Sequence, residues 1–222
     1  MYSFLHILAL VIVIVFNIWY AKKYNINRIK ALIFTAIVWG LTYQFMLVLT
    51  WIENGFNNFG AQNIVRVFVY IPLVAYLPNK ILKVSKYNKM LDYIAICPTL
   101  SHSVSHIACA FAGCCAGRII TIGTKVFRFP SQITESIVAF AIAVILFIYS
   151  KKKKYNTNGE VFPMMLIMFG FTRFILEFLR DNEKLILGMS SLALHAIFMA
   201  LVGCVWIYII KRKRSKFNKQ AE

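Results

Sequence analysis

Charged residues are scarce in this chain. They make up 15% of its 222 residues, whereas a soluble domain carries about 25%. Apolar residues make up 60%, and several stretches reach the roughly 20 mostly apolar residues that cross a bilayer. The composition excludes an ordinary soluble domain. It predicts a single integral membrane domain over residues 1–222 that is all-α, a polytopic helix bundle.

Cysteines at paired spacing are also missing. None of the five, at positions 97, 109, 114, 115 and 204, has the spacing of a zinc ribbon or of a secreted disulfide framework. Adjacent Cys114 and Cys115 can bridge each other only with strain. Three interpretations of this pair stay open: a redox-sensitive pair, an acyl-carrying nucleophile, or small apolar side chains that fill space.

Hydropathy predicts seven membrane spans. The first span lacks the basic segment and the small-residue cleavage site of a signal peptide, so we interpret it as an anchor. The fourth span is the most polar, because Pro98 and several His and Ser residues interrupt it. The predicted spans cover residues 2–20, 31–52, 64–82, 91–112, 134–150, 161–179 and 192–210.

The basic residues predict an orientation. The net charge is +17, and most Lys and Arg residues lie in every second gap between spans, at 22–30, 80–89, 151–154 and 211–219. The positive-inside rule makes these segments cytoplasmic, with the N-terminus outside and the C-terminus inside. Attraction to anionic lipid headgroups explains the same charge, so no nucleic-acid partner is expected.

Seven of the 25 Lys and Arg residues fall on the predicted outer half, where this rule does not explain them. Arg173 lies within the sixth span, four residues before Glu177. A bare guanidinium in lipid costs several kcal/mol. Arg173 therefore either pairs locally with Glu177, or binds an anionic headgroup with two donors while Glu177 orients it. The seven residues are Arg66, Arg118, Lys125, Arg128, Arg173, Arg180 and Lys184.

Histidines on the fourth span are a second unusual feature. His102, His106 and Cys109 recur at i, i+4 and i+7 and share one helix face. They suit a metal site, a proton-handling histidine at a polar cavity, or hydrogen bonds between helices. No acidic ligand lies nearby in sequence, so no metal is expected. For His106 we favour proton handling, and for His102 a helix contact.

Two segments beside the fifth span suit an anion. Gly113 and Gly117 belong to a patch of small residues that lets another backbone approach closely, and Arg118 follows with a guanidinium suited to phosphate. In residues 130–135, the Pro and Ser131 are typical of a helix start, with Ser131 as the cap. Glu135 lies about one turn later and is expected to pair with an outer arginine.

Together, the outer half is predicted to hold a positively charged, partly dry pocket. Such a pocket suits an enzyme that binds an anionic phosphodiester and stabilises the departing phosphate. The residues assigned to it are His106, Arg118, Arg128, Arg173 and Arg180.

Three segments resemble the prolipoprotein diacylglyceryl transferase family. Residues 105–118 match in register its signature Gly-Arg-Ile-Gly-Asn-Phe-x-Asn-Gly-Glu-x-x-Gly-Arg and keep Ile107, Gly113, Gly117 and Arg118. Residues 130–135, with Gln132 and Glu135, match Pro-Ser-Gln-Leu-Tyr-Glu. Residues 169–180 match Tyr-Gly-x-x-Arg-Phe-x-x-Glu-Phe-x-Arg and keep Arg173, Glu177 and Arg180.

The resemblance implies a multi-pass enzyme of a bacterial cell membrane that needs no cofactor. It would move diacylglycerol from phosphatidylglycerol to the lipobox cysteine thiol of a prolipoprotein signal peptide, with glycerol phosphate as leaving group. Arg173 and Arg118 would hold the phosphate and Glu177 would position an arginine. Substrate contacts would extend to Gly113, Gly117, Gln132, Glu135 and Arg180.

The chain also departs from the family pattern. The first Arg of the signature is His106, the first Asn is Cys109 and the Glu is Cys114. Residues 63–82 contain no His and no Gly, so the family's His-Gly-Gly segment, whose His is often assigned as the base, is absent. His106 is the candidate replacement. Two alternatives stay open: a paralogue with a different acceptor or phospholipid, and a non-catalytic protein that binds lipid or peptide.

Overall fold

A computed structural model of the chain describes residues 2–53, 55–57, 68–181 and 189–221. Over these residues the chain is mostly helical. The helices are α1 Tyr2–Lys23, α2 Arg28–Glu53, α3 Ile71–Leu82, α4 Tyr87–Ile94, α5 Ile96–Ala112, α6 Ser131–Lys152, α7 Val161–Glu177 and α8 Ser191–Ala221. Two strands, β1 Ile119–Ile122 and β2 Lys125–Arg128, lie between α5 and α6.

The helices match the predicted apolar spans in place. Within the described ranges, four stretches are long and apolar enough to cross a membrane: Arg28–Ile52, Tyr87–Ala112, Ser131–Lys152 and Ser191–Lys216. α7 is apolar but has only 17 residues, and α1 covers the first predicted span. Residues 64–67 of the predicted third span, with Arg66, lie outside the described residues. A mostly helical chain with helices long and apolar enough to span a membrane is confirmed, whereas the seven spans and their orientation stay predictions.

The fourth predicted span is divided into two helices. α4 ends at Ile94 and α5 begins at Ile96. Pro98 accounts for the break, because a proline lacks the N–H that would bond to the carbonyl four residues earlier, here Ile94, and its ring crowds that carbonyl. The break leaves α4 free to meet the beginning of α7.

The segment between the fourth and fifth predicted spans contains a β-hairpin, which the all-α prediction omits. β1 and β2 are antiparallel, with Ile119 opposite Arg128 and Ile122 opposite Lys125. Gly123 has φ of +60°, a conformation suited to the two-residue turns that join such strands. A run of β-branched residues on both sides of a glycine was the signal for this hairpin.

Asp92 on α4 supplies the acceptors for the first turn of α7. Its buried carboxylate accepts hydrogen bonds from the N–H groups of Gly159 at 2.7 Å, Val161 at 2.8 Å and Phe162 at 3.3 Å, and from the Thr157 hydroxyl. The first N–H groups of a helix have no partner within it, and a negative charge is favourable there. Asp92 therefore ties α7 to α4.

We expect Asp92→Ala to destabilise the protein by at least about 2 kcal/mol, because it leaves buried N–H groups without a charged acceptor. Thermal unfolding in detergent would show a lower midpoint. Asp92→Asn keeps one carbonyl acceptor and should lose less. Equal midpoints for Asp92→Ala and the unchanged protein would contradict this role.

Candidate functional site

One buried carboxylate, that of Glu135, is shared by four basic side chains. Its Oε1 lies 2.7 Å from Arg173 Nη1 and accepts a hydrogen bond from Arg180 Nη1 at 2.5 Å. Its Oε2 lies 3.4 Å from His102 Nε2 and 3.3 Å from His106 Nε2. All five side chains are at least nine-tenths buried. We call these five residues the Glu135 cluster.

A second carboxylate extends the Glu135 cluster along α7. Glu177 Oε2 lies 2.8 Å from Arg173 Nη2, one helical turn away, and Glu177 Oε1 accepts a hydrogen bond from the Ser190 hydroxyl at 2.7 Å. Arg173 is thus held between two carboxylates from α6 and α7. The fork geometry of a guanidinium allows one donor for each.

The cluster forms where three helices meet at one end of the bundle, with Arg180 just beyond the end of α7. His102 and His106 lie on successive turns of α5, Glu135 lies in the first turns of α6, and Arg173 lies near the end of α7. Ser103 on α5 and Ser136 on α6 are 3.4 Å apart, so the two helices are in contact beside the cluster. The basic segments 80–89 and 151–154 begin at the C-terminal ends of α3 and α6. On α6 this is the end opposite to Glu135.

Several buried polar atoms in the cluster have no hydrogen-bond partner among the described residues. They are His106 Nδ1, Arg173 Nε and Arg180 Nε. Leaving such a group unpaired costs about 1–3 kcal/mol or more, so these atoms are candidates to contact a ligand. A cavity of about 10 Å³ borders His102, Glu135 and Arg173, which is about the space of one water. A larger ligand therefore requires helices or side chains to move.

The cluster does not suit a cation despite its donor set. His102, His106 and Glu135 offer ligand atoms within 4.8 Å of one another, and two His with one carboxylate is a known iron(II) ligand set. The carboxylate that sequence proximity failed to supply comes from α6. However, Arg173 and Arg180 both contact Glu135, and their positive charges oppose a divalent ion. The same charges favour an anion.

Arg118 lies outside the Glu135 cluster, at its rim. Its side chain is exposed, and its Nη1 donates to the Phe178 carbonyl at 3.3 Å. Its backbone N–H donates to the Leu179 carbonyl at 2.9 Å, so the base of the hairpin is joined to the end of α7. Arg128, on β2, is also exposed. The predicted pocket of five basic residues therefore contains His106, Arg173 and Arg180, with Arg118 beside it and Arg128 on the hairpin.

Residues 130–135 hold the loop after α5. Gln132 Nε2 donates to the Cys114 carbonyl at 2.7 Å, and the Ser131 hydroxyl donates to the Cys115 carbonyl at 2.6 Å. The prediction that Ser131 caps α6 is wrong, because Pro130 occupies the cap position and Ser131 is the first helical residue. A hydroxyl there can donate to a neighbouring loop. Gln132 thus contacts the loop backbone, and the predicted pairing of Glu135 with arginine is present.

Comparison with known protein families shows which family the chain belongs to. The model of the family described as prolipoprotein diacylglyceryl transferase matches residues 1–209. The chain belongs to this family. The resemblance predicted from three motifs is thereby confirmed, and the match extends it over the N-terminal hundred residues.

Several relatives within the family carry the name phosphatidylglycerol–prolipoprotein diacylglyceryl transferase. The chain is 29% identical to the protein of Clostridium tetani over 140 residues, which are 58% of this chain and 55% of that protein. It is 26% identical over 247 aligned residues to the protein of Campylobacter curvus, covering 97% of this chain and 91% of that protein. The match to the first relative, and one to the second enzyme of Clostridium perfringens, span about half of their lengths.

Two glycines of the diacylglyceryl transferase signature are required for different structural reasons. Gly113 ends α5 with φ of +69° and open space around its Cβ position. Gly117 pairs with Arg180 in a β-bridge, and a Cβ there would lie 2.2 Å from the Phe129 carbonyl oxygen. The first glycine is needed for its backbone conformation and the second for its missing side chain.

We expect Gly117→Ala to be more damaging than Gly113→Ala. The clash with backbone at Gly117 must push the hairpin from the end of α7, whereas alanine at Gly113 costs about 1–2 kcal/mol of left-handed strain. Thermal unfolding of the two variants, measured in one detergent, compares them directly. A larger loss for Gly113→Ala would contradict the close packing at Gly117.

The two cysteines that replace signature residues, Cys109 and Cys114, lie together with Cys115. The Sγ atoms of the three are all within 4.8 Å of one another, although Cys109 was predicted to share one helix face with the histidines. Cys115 has φ of +59°, which turns it toward Cys109. A hydrogen bond from the Cys109 thiol and the adjacent Arg180 guanidinium lower the pKa of the Cys115 thiol, despite its partial burial.

Sequence reasoning missed two members of the site. It interpreted His102 as a helix contact, yet His102 shares the Glu135 oxygen with His106. Its position one turn before His106 was the available signal. Ser190 falls between the sixth and seventh predicted spans, and nothing in the sequence indicated its bond to Glu177. Lys184 lies outside the described residues.

Proposed function

We propose that this protein transfers diacylglycerol from phosphatidylglycerol to the cysteine thiol of a prolipoprotein lipobox, at the outer face of a bacterial cell membrane. The observation that carries the proposal is the buried Glu135 cluster, of which all members except His102 lie in the three segments that resemble the family's motifs. The names of the relatives supply the two substrates. The basic segments at the opposite end of the bundle support the outward orientation of the site.

Arginines supply the binding of the phosphodiester. Arg173 Nε and Arg180 Nε have no hydrogen-bond partner among the described residues and can donate to phosphate oxygens. Exposed Arg118 can add a third guanidinium at the rim. Guanidinium groups hold phosphate with short, charge-assisted hydrogen bonds. Glu177 and Glu135 keep Arg173 in place before the lipid arrives.

His106 is the proposed base for the acceptor thiol. When its Nε2 carries the proton and donates to Glu135, its Nδ1 presents a lone pair, and this atom has no partner among the described residues. A carboxylate that orients an imidazole and stabilises its charged form is the arrangement of hydrolytic triads. The same arrangement lets His106 accept the proton of a thiol.

The reaction balances with these groups alone. His106 takes the thiol proton, and the thiolate forms a carbon–sulfur bond with the glyceryl carbon that carries the phosphate. The carbon–oxygen bond to that phosphate breaks, so glycerol phosphate leaves with the electron pair. Arg173 and Arg180 stabilise the added negative charge, and the proton on His106 then passes to the phosphate or to water.

The test is an assay with purified full-length protein, phosphatidylglycerol vesicles and a synthetic lipobox peptide. We expect a peptide whose mass has increased by a diacylglyceryl group, together with released glycerol phosphate. Arg173→Lys should lose at least about tenfold in rate, because lysine cannot replace two directed donors. Arg212→Ala, which removes an exposed tail charge, is the matched control and should keep its rate.

The alternative of a different acceptor or lipid is favoured by the missing His-Gly-Gly segment and by changed signature positions, among them His106, Cys109 and Cys114. The same assay separates the cases. Glycerol phosphate release without peptide modification indicates another acceptor. No release from any phospholipid, with folded protein, indicates a binding protein and overturns the proposal.

A further inference from the structure

Three thiols converge outside the Glu135 cluster, at the loop that follows α5. Cys109 is on the last turns of α5, Gly113 ends the helix in a left-handed conformation, and the chain returns so that Cys114 and Cys115 face Cys109. Cys114 Sγ lies 3.7 Å from the Cys109 carbonyl. We call Cys109, Cys114 and Cys115 the thiol cluster.

The exposure of the thiol cluster does not suit side chains that merely fill space. Cys114 is exposed, and Cys109 and Cys115 are half-buried, whereas space-filling cysteines are usually among the most buried residues. Of the two remaining cysteines, Cys97 is buried in the bundle, and Cys204 is exposed on α8 but belongs to no comparable group of ligand atoms among the described residues. A pair of thiols would suffice for a disulfide, and here three meet at one point.

The separation of the sulfur atoms fits a shared metal ion. Three thiolates at about 2.3 Å from one zinc ion lie about 4 Å from one another. The three Sγ atoms are within 4.8 Å of one another, so each needs to move by less than about 1 Å to reach that geometry. Cys114 lies in an exposed loop, where such a movement meets little packing.

The charge around the thiol cluster also suits a bound metal ion. One Zn²⁺ with three thiolates carries a net charge of −1. The Arg180 guanidinium interacts electrostatically with the Cys115 thiol and supplies a compensating positive charge. No acidic side chain is part of the cluster among the described residues, so the donor set is purely soft. Thiolate ligands without oxygen select Zn²⁺ or Cu⁺ over Mg²⁺ or Ca²⁺.

We propose that Cys109, Cys114 and Cys115 bind one thiophilic metal ion, of the class of Zn²⁺ or Cu⁺. Each coordinating thiol loses its proton to solvent, and no oxidation occurs. Because Arg180 interacts electrostatically with Cys115 and is paired with Glu135, the ion lies one side chain away from the proposed active site. The metal site is independent of the proposed function, and its test measures ion binding alone.

The test uses reduced, full-length protein in detergent, freed of metal with a chelator and titrated with Cd²⁺ as a probe for thiolate ligands. We expect an ultraviolet thiolate-to-cadmium absorption band that saturates at one ion per chain and is reversed by Zn²⁺. The triple variant C109A/C114A/C115A should lose the band. Cys204→Ala, which removes an exposed cysteine elsewhere, is the matched control and should keep it.

A single substitution keeps the proposal testable if the triple variant does not fold. Cys114→Ala changes only an exposed side chain, so it should elute as the unchanged protein in size-exclusion chromatography and bind Cd²⁺ at least about tenfold more weakly. Unchanged Cd²⁺ affinity in folded Cys114→Ala overturns the proposal. So does the absence of the band in the folded, reduced protein, or its persistence in the triple variant.

Discussion

Glu135→Gln is expected to lower the free energy of unfolding by about 3–5 kcal/mol, because it leaves two buried guanidiniums without their shared carboxylate. Arg173 and Arg180 are both bound to the same oxygen, Oε1. A glutamine has nearly the same shape but no charge, so packing is kept and the electrostatic loss is isolated. Thermal unfolding in detergent, followed by tryptophan fluorescence, measures the loss.

The matched control for this substitution is an exposed ion pair of the same chain. Arg214 lies 3.2 Å from Glu160, and its side chain is 53% exposed. Surface ion pairs contribute about 0–1 kcal/mol, so Arg214→Ala should change the unfolding midpoint little. If Glu135→Gln and Arg214→Ala have the same small effect, Glu135 is not the electrostatic centre that the distances indicate.

His106→Ala is expected to reduce the transfer rate by about 10²–10⁴-fold, the usual contribution of a general base, while the protein still inserts and folds. The readout is the rate of peptide modification as a function of pH. In the unchanged protein His106 removes the thiol proton, so the rate should depend little on how much of the free acceptor thiol is ionised. In the variant only thiol that has already ionised reacts, so the residual rate should rise steeply with pH toward the thiol pKa of about 8.5, a change that a purely structural role of His106 does not predict.

His102→Ala provides the comparison for His106→Ala. Both rings are buried, and both lie within 3.4 Å of Glu135 Oε2. His102 is farther from the hairpin end of α5, so its loss should lower the rate less and leave the weak pH dependence of the unchanged protein in place. A larger loss at His102 would reverse the assignment of the base. An unchanged rate in His106→Ala would exclude His106 from proton transfer.

Much of the helical framework could be predicted, because apolar runs long enough to cross a bilayer have few alternatives. Only Pro98 indicated that the fourth span is divided. A proline shows that a helix is disturbed but does not show whether the helix bends or ends there. The hairpin was missed because short strands give a weak periodic signal beside long apolar helices. Its β-branched residues on both sides of Gly123 are visible only when strands are looked for.

The site was predictable in its residues but not in its arrangement. Arg173, Glu177 and Glu135 stood out as charges at membrane depth, which nearly always have a partner or a function. Which carboxylate serves which cation depends on contacts between α5, α6 and α7, and no local pattern encodes them. For this reason Glu135 was expected to hold one arginine, whereas it contacts two arginines and two histidines.

Backbone hydrogen bonds at the base of the hairpin make it rigid and fix it to the segment after α7. Arg118 and Leu179 share a hydrogen bond, as do Phe129 and Arg118, while the tip at Gly123 is exposed. In hydrogen–deuterium exchange, the amides of Arg118 and Phe129 should therefore exchange slowly and those of the tip quickly. Any tilt of the hairpin therefore displaces the segment that carries Arg180.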